Sequence, residues 1–240
     1  MRSFQLLSLA AVTSLAFAFS PAVHAATITA VGSAILANGA TAPGSASDYD
    51  FFGTGQVAQT NFTVSTGSSN IFGDGACCGY STITAPGGSS AFVTGLAYPN
   101  DDSEGVPVEF ASFSPNVAGD FTVWILDSNS DANDLLNRTV GLGVNGGAQV
   151  ATEACGDGAN GGCPSQRVNE FTEYSVTGAS PTDVFQVYAT STGQRPSLGG
   201  LTFSGITPSV APVPEPSSLA LMGTGLLGGL GVLRRKFRKA

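Results

Sequence analysis

Lysine is missing from the whole stretch between Ala26 and Ala211, and so is histidine, because the only histidine of the chain is His24. Without histidine, this stretch cannot run Ser/His/Asp or Cys/His nucleophilic catalysis or histidine acid–base chemistry, and it lacks the usual zinc and copper ligand sets. Without lysine there is no Schiff-base nucleophile and no Walker lysine for a nucleotide phosphate. Positive charge of any kind is scarce: eleven Asp and five Glu stand against Arg138, Arg167 and Arg195, a net charge of −13. Such a surface repels nucleic-acid phosphates and anionic lipid, so no nucleic-acid partner is expected, whereas neutral glycans, divalent cations and water remain compatible. Helix-period apolar runs are also few in this stretch, which argues against a helical body.

What is present is clearest at the two ends. Residues 1–25 read as a secretory signal peptide: Arg2 is the positive n-region, Leu6 to Phe19 the apolar h-region, Pro21 a helix breaker, and Val23-His24-Ala25 a small-x-small site with the cut expected between Ala25 and Ala26. That cleavage removes His24. At the far end Ser217 to Leu233 carries no charge, and as a helix it spans about 25 Å, short but workable for a bilayer. Its five glycines suit a membrane span better than a buried core helix, and Arg234, Arg235, Lys236, Arg238 and Lys239 follow with no acidic residue among them. The positive-inside bias then places the tail on the cytoplasmic side and the body outside.

Just before the apolar run stand Pro214, Glu215 and Pro216. Pro-Glu-Pro, an apolar helix and a basic end, in that order, resemble the PEP-CTERM sorting signal of Gram-negative bacteria that make extracellular polysaccharide. The resemblance covers about residues 213–239. It implies that exosortase, a membrane-embedded cysteine transpeptidase, handles the tail near the motif, with the secretion machinery as the earlier partner and the membrane as a transient one. It implies nothing about the activity of the body, because bodies in that family are diverse.

The body, residues 26–207, is followed by a Pro-rich linker, 208–216, and is long enough for one well-sized core. Short apolar or period-two runs between Gly/Asn/Asp/Pro/Ser breakers predict strands at Thr27–Leu36, Tyr49–Phe52, Gln56–Ser65, Tyr80–Thr84, Ala91–Ala97, Val106–Phe113, Asp120–Leu126, Arg138–Val144, Ala148–Glu153, Val168–Thr177, Asp183–Thr190 and Leu198–Ile206. A dozen strands in one domain predict an all-β fold: an antiparallel two-sheet sandwich, jelly-roll-like, flanked by the signal helix and the C-terminal transmembrane helix. Phe121, Val123 and Ile125 share one face of the 120–126 strand while Trp124 and Leu126 share the other, so this strand should be central. Trp124 reads first as core packing and second as a stacking platform for sugars.

Cys77, Cys78, Cys155 and Cys163 lie in two Gly-rich loops of an exported chain, which predicts disulfides. Cross-links between the loops are expected, because a bond between adjacent cysteines strains the intervening peptide; a local Cys155–Cys163 loop is the rival, and a four-thiolate metal site fits no common zinc spacing. Asp127, Asn129 and Asp131 imitate the first half of a Ca²⁺ loop, but Ala132 and Arg138 stand where that loop needs Gly and Glu, and an Asx-rich turn explains the same residues. No other cofactor is expected. Carboxylate pairs are the remaining route to catalysis, and Glu170 and Glu173, three apart, fall on opposite faces of a regular strand. The expectation is therefore a non-catalytic structural, adhesive or polysaccharide-associating module of the envelope or biofilm, with a carboxylate-dependent glycoside hydrolase as the alternative.

Overall fold

The computed structural model describes residues 26–37, 39–52, 56–66, 70–72, 82–88, 91–93, 96–98, 106–128, 138–154, 169–191 and 198–208. Every regular element among them is a strand: β1 Thr27–Leu36, β2 Asp48–Phe51, β3 Gln56–Gln59, β4 Phe62–Thr66, β5 Asn70–Phe72, β6 Thr82–Thr84, β7 Ala91–Val93, β8 Leu96–Tyr98, β9 Val108–Pro115, β10 Gly119–Ser128, β11 Arg138–Val144, β12 Val150–Ala154, β13 Asn169–Ala179, β14 Phe185–Ser191 and β15 Gly200–Phe203. They form a six-stranded sheet in the order β1-β13-β10-β15-β2-β3, a five-stranded sheet in the order β12-β11-β14-β9-β4, and two small pairs, β5-β8 and β6-β7. All the strand ladders are antiparallel. The chain divides into two units, Met1–Thr207 and Pro208–Ala240, and the sheets belong to the first. The signal peptide, the 217–233 segment and its basic end lie outside the described residues.

Alternation along the strands builds the core. β10 sends Phe121, Val123 and Ile125 inward, where they join Tyr174 and Val176 of β13, Leu201 and Phe203 of β15, and the inward residues of the other sheet, Phe62, Phe113, Val140, Leu142, Phe185 and Val187. The centre is aromatic. Phe113 stacks on Phe185 with centroids 5.1 Å apart and meets Phe203 and Phe121 edge-on at 5.0 and 6.0 Å, while Phe62 stacks on Phe203 at 4.2 Å; such ring pairs add to the gain from burial alone. One hydrogen bond ties the layers together: the Tyr174 hydroxyl donates to the Val140 carbonyl at 2.7 Å. Burial pushes this phenol up to about 12, so it remains a donor at any ordinary pH.

The sandwich with β10 at the centre of the larger sheet is as expected, while several strand limits differ. Gln56–Ser65 is two strands in different sheets, β3 and β4, not one. The break is chemical: Asp48, fully buried, accepts the Thr60 and Asn61 amides on Oδ1 at 3.0 and 2.6 Å and the Asn61 side-chain amide on Oδ2 at 2.8 Å. A carboxylate that takes two consecutive N–H groups pulls the chain out of its ladder, and the strand crosses to the other sheet. Ala91–Ala97 likewise divides into β7 and β8, which belong to different pairs, and β5 has no counterpart in the sequence reading.

A second, smaller cluster covers the outer face of the six-stranded sheet. Leu126, Phe171 and Phe51 from the sheet pack against Ala42, Ile83 and Ala85. The strap 39–45 brings Ala42 there: Ala42 N–H donates to the Thr84 carbonyl at 2.9 Å, Thr84 N–H to the Ala40 carbonyl at 2.8 Å, and Ser45 N–H to the Phe203 carbonyl at 2.7 Å. Gly44 makes the approach possible, with φ +111° and a position where a Cβ would come within 2.8 Å of the Phe203 oxygen.

Candidate binding groove

The strap covers only part of that outer face, and beside it a groove of about 520 Å³ remains open. Its floor is Trp124, Phe171 and Glu173, one wall is the β1 segment from Val31 to Leu36, and the other is Thr41 and Pro43 of the strap. The volume lies in the range of small-ligand pockets.

Strand register sets the floor. Gly32, Glu173, Trp124 and Thr202 lie opposite one another on four adjacent strands, and Tyr49 extends the row onto β2. A bulge between Ala30 and Gly32 shifts β1 by one residue: Ile28 and Ala30 pack inward against the main core, whereas Leu36 packs on the outer cluster. The bulge therefore turns Gly32, Ala34 and Leu36 outward and leaves Val31 58 % exposed at the rim. Beyond the groove, Thr29, Ser175 and Thr122 form the next row, a strip of hydroxyls on the same face.

Trp124 therefore has two roles. One side packs on the outer cluster, as the core reading expected, and the ring also lines the groove beside a carboxylate. Among the described residues of the lining, Glu173 is the one ionisable side chain and none is cationic. β13 turns Glu173 outward and Glu170, 1 % exposed, inward, so the two carboxylates do not form a dyad. Other carboxylates are taken up by turns: Asp183 accepts from the Asn145 side-chain amide and from Ser180 N–H, both at 2.8 Å, and Asp120 accepts from Gly178 N–H at 2.7 Å. The groove can thus offer an aromatic face, one strong acceptor and neutral hydroxyls, a donor–acceptor set suited to an uncharged polyol and unsuited to an anion.

The other residues singled out in the sequence divide as follows. Ala26 is half-buried against the main core. Asp127 lies near the end of β10, opposite Glu170, but Asn129 and Asp131 lie outside the described residues, as do Ala25, Cys77, Cys78, Cys155, Cys163, Pro214, Glu215, Pro216, Arg234, Arg235, Lys236, Arg238 and Lys239. No group of three metal-ligating side chains occurs among the described residues. Sequence reasoning missed the bulge and the strap. Gly44 was the one available signal, as a glycine before a Ser-Ala-Ser turn.

Residues 212–236 match the family model of the PEP-CTERM protein-sorting motif. No curated protein and no solved structure matches the chain. The chain therefore carries, at its C-terminal end, the PEP-CTERM sorting motif of exported, membrane-anchored precursors handled by exosortase, on a β-sandwich body assigned to no family.

Proposed function

We propose that the exported protein is a non-catalytic module that holds neutral polysaccharide at the surface or in the matrix of a Gram-negative bacterium, after exosortase has processed its tail. The groove over Trp124 and Glu173 supports this reading. A pyranose ring has an apolar face that suits an indole, and equatorial hydroxyls that suit a carboxylate acceptor; an anionic polymer would meet no cation among the described lining residues and a body charged at −13. Glu170 and Glu173 fall on opposite faces of the sheet, so this pair does not supply the two facing carboxylates that glycoside hydrolysis requires.

Affinity electrophoresis of the exported protein in gels containing β-glucan, galactomannan or xylan, with alginate as the anionic comparison, tests the binding. Retardation by at least one neutral polymer, weakened in Trp124→Ala, is expected. Unchanged mobility in every gel would overturn it, and release of reducing ends that Glu173→Gln abolishes would make the protein a hydrolase. Fractionating cells with and without exosortase tests the route, since an identical unprocessed cytoplasmic product in both would refute it. Calcium enters this reading as a structural ion only, at Asp127, Asn129 and Asp131. The melting temperature should then rise with CaCl₂ beyond the rise given by NaCl of equal ionic strength, and Asp131→Ala should remove the difference.

A further inference from the structure

The outer face of the five-stranded sheet repeats the groove's chemistry. Both sheets turn their inner faces to one shared core, so their outer faces look in opposite directions. On the groove side the row runs Gly32, Glu173, Trp124. On the other side the register places Ala151, Gly141, Tyr188 and Glu109 in one row and Gly143, Gln186, Ser112 and Ser65 in another. In both places an aromatic residue stands directly opposite a glutamate on the neighbouring strand, and a glycine adjoins the pair.

The glycines shape this second face. At Gly141 a Cβ would meet the Gln149 side-chain oxygen at 2.7 Å, so glycine lets that amide lie across the sheet; at Gly143 a Cβ would lie 3.5 Å from Tyr188 Cε2, so glycine leaves the ring edge uncovered. The Tyr188 hydroxyl is directed at the Glu109 carboxylate across 3.5 Å. Burial, and then the Glu109 charge, hold its pKa above the ordinary phenol value, so it stays a hydroxyl.

The geometry points to a second saccharide-binding face centred on Tyr188, Glu109 and Gln186, which lets one domain hold two neutral polysaccharide chains on opposite sides and cross-link them. The inference rests on the groove reading and extends it. The occupant follows from the side chains: neither row contains a Lys or Arg, which disfavours a polyanion, and Ser65, Ser112, Gln149 and Gln186 supply hydroxyl and amide groups where the centre of a protein–protein interface would be apolar. One ring with adjacent acceptors and donors is the set that orients a sugar. Two such sites on one rigid body turn weak single contacts into network formation when the polymer is long.

The test uses the exported protein with the neutral polymer that retards it in the gel, and compares two readouts: retardation, which one site suffices to give, and light scattering of the mixture, which needs two. Wild type should give a scattering maximum at an intermediate protein-to-polymer ratio. Tyr188→Ala should abolish the maximum and keep retardation within about threefold of wild type. Trp124→Ala should do the same, and Ala34→Trp, which fills the groove from an exposed position, covers the case in which Trp124→Ala does not fold. Combining Tyr188→Ala with Ala34→Trp should remove retardation as well. Retardation without a scattering maximum in wild type would overturn cross-linking while sparing the groove reading. A maximum unaffected by Tyr188→Ala would overturn the second face, and so would scattering that rises without polymer, since self-association would then be the cause. No retardation of wild type by any polymer would overturn both.

Discussion

The two faces of the six-stranded sheet are built from the same strands and end in different states. On the inner face a whole second sheet closes over Phe121, Val123, Ile125, Tyr174 and Phe203, and an aromatic cluster fills the space between. On the outer face, among the described residues, the strap and the β6 segment bring in Ala42, Ile83 and Ala85 over Leu126, Phe171 and Phe51. The partial cover stops beside Trp124, and a groove remains. β10 therefore supplies the core through its odd-numbered residues 121 to 125 and part of the groove floor through Trp124. A sheet apolar on both faces needs two covers, and an incomplete second cover is a simple way to make a pocket on a rigid floor.

The largest effect should come from the inner face. Phe113→Ala removes the ring that contacts Phe185, Phe203, Phe121 and Phe62, and should cost about 3–5 kcal/mol in urea unfolding. A cost below that of Trp124→Ala would reverse the ranking of the two faces. Tyr174→Phe comes next: it removes the hydroxyl's bond to the Val140 carbonyl between the layers, at about 0.5–1.5 kcal/mol. On the outer face, Gly44→Val should detach the strap, because its backbone is at φ +111° with the Phe203 oxygen in the way. Its clearest signature is local: faster hydrogen exchange at the Ala42, Ser45 and Thr84 amides, with core amides such as Val123 unchanged. Uniform acceleration across both sheets would mean that the strap is part of the core.

The inner face was far more legible in the sequence than the outer one. Phe121, Val123 and Ile125 on one parity and Trp124 and Leu126 on the other are apolar, so a central strand with two covered faces could be read from six consecutive residues. The sorting tail was legible for the same reason, its three parts being contiguous. The groove was not, because its walls come from residues 31–36 and 41–43 and its floor from 124, 171 and 173, and only strand register brings these together. The division between β3 and β4 was hidden because the residue that enforces it, Asp48, lies 12 and 13 positions away from the amides it binds. Trp124 was read first as packed and second as a stacking platform, and it packs on the outer cluster while lining the groove; period two gives the face a residue points to but not how well that face is covered.

The smallest predicted effect lies at the rim where the inner face meets solvent. Asp50 stands opposite Leu201 of β15 and Val57 of β3, and burial raises its carboxyl above its usual value of 3.8, partly offset by the Gln59 side-chain amide, which donates to Oδ2 at 2.9 Å. A carboxyl whose pKa is higher folded than unfolded favours folding in its protonated form. Its contribution is therefore fully present below pH 3.8 and is lost as pH rises through the folded value. At neutral pH the ionised group is a slight liability, and Asp50→Asn, which keeps an acceptor for Gln59 without the charge, should raise the melting temperature by a small amount. That advantage should shrink on acidification and vanish once the wild-type carboxyl is protonated. Melting curves of both proteins across the acidic range decide it: an advantage that grows as pH falls would mean that Asp50 is held by an attraction to its surroundings, and that the rim is better sealed than the groove side.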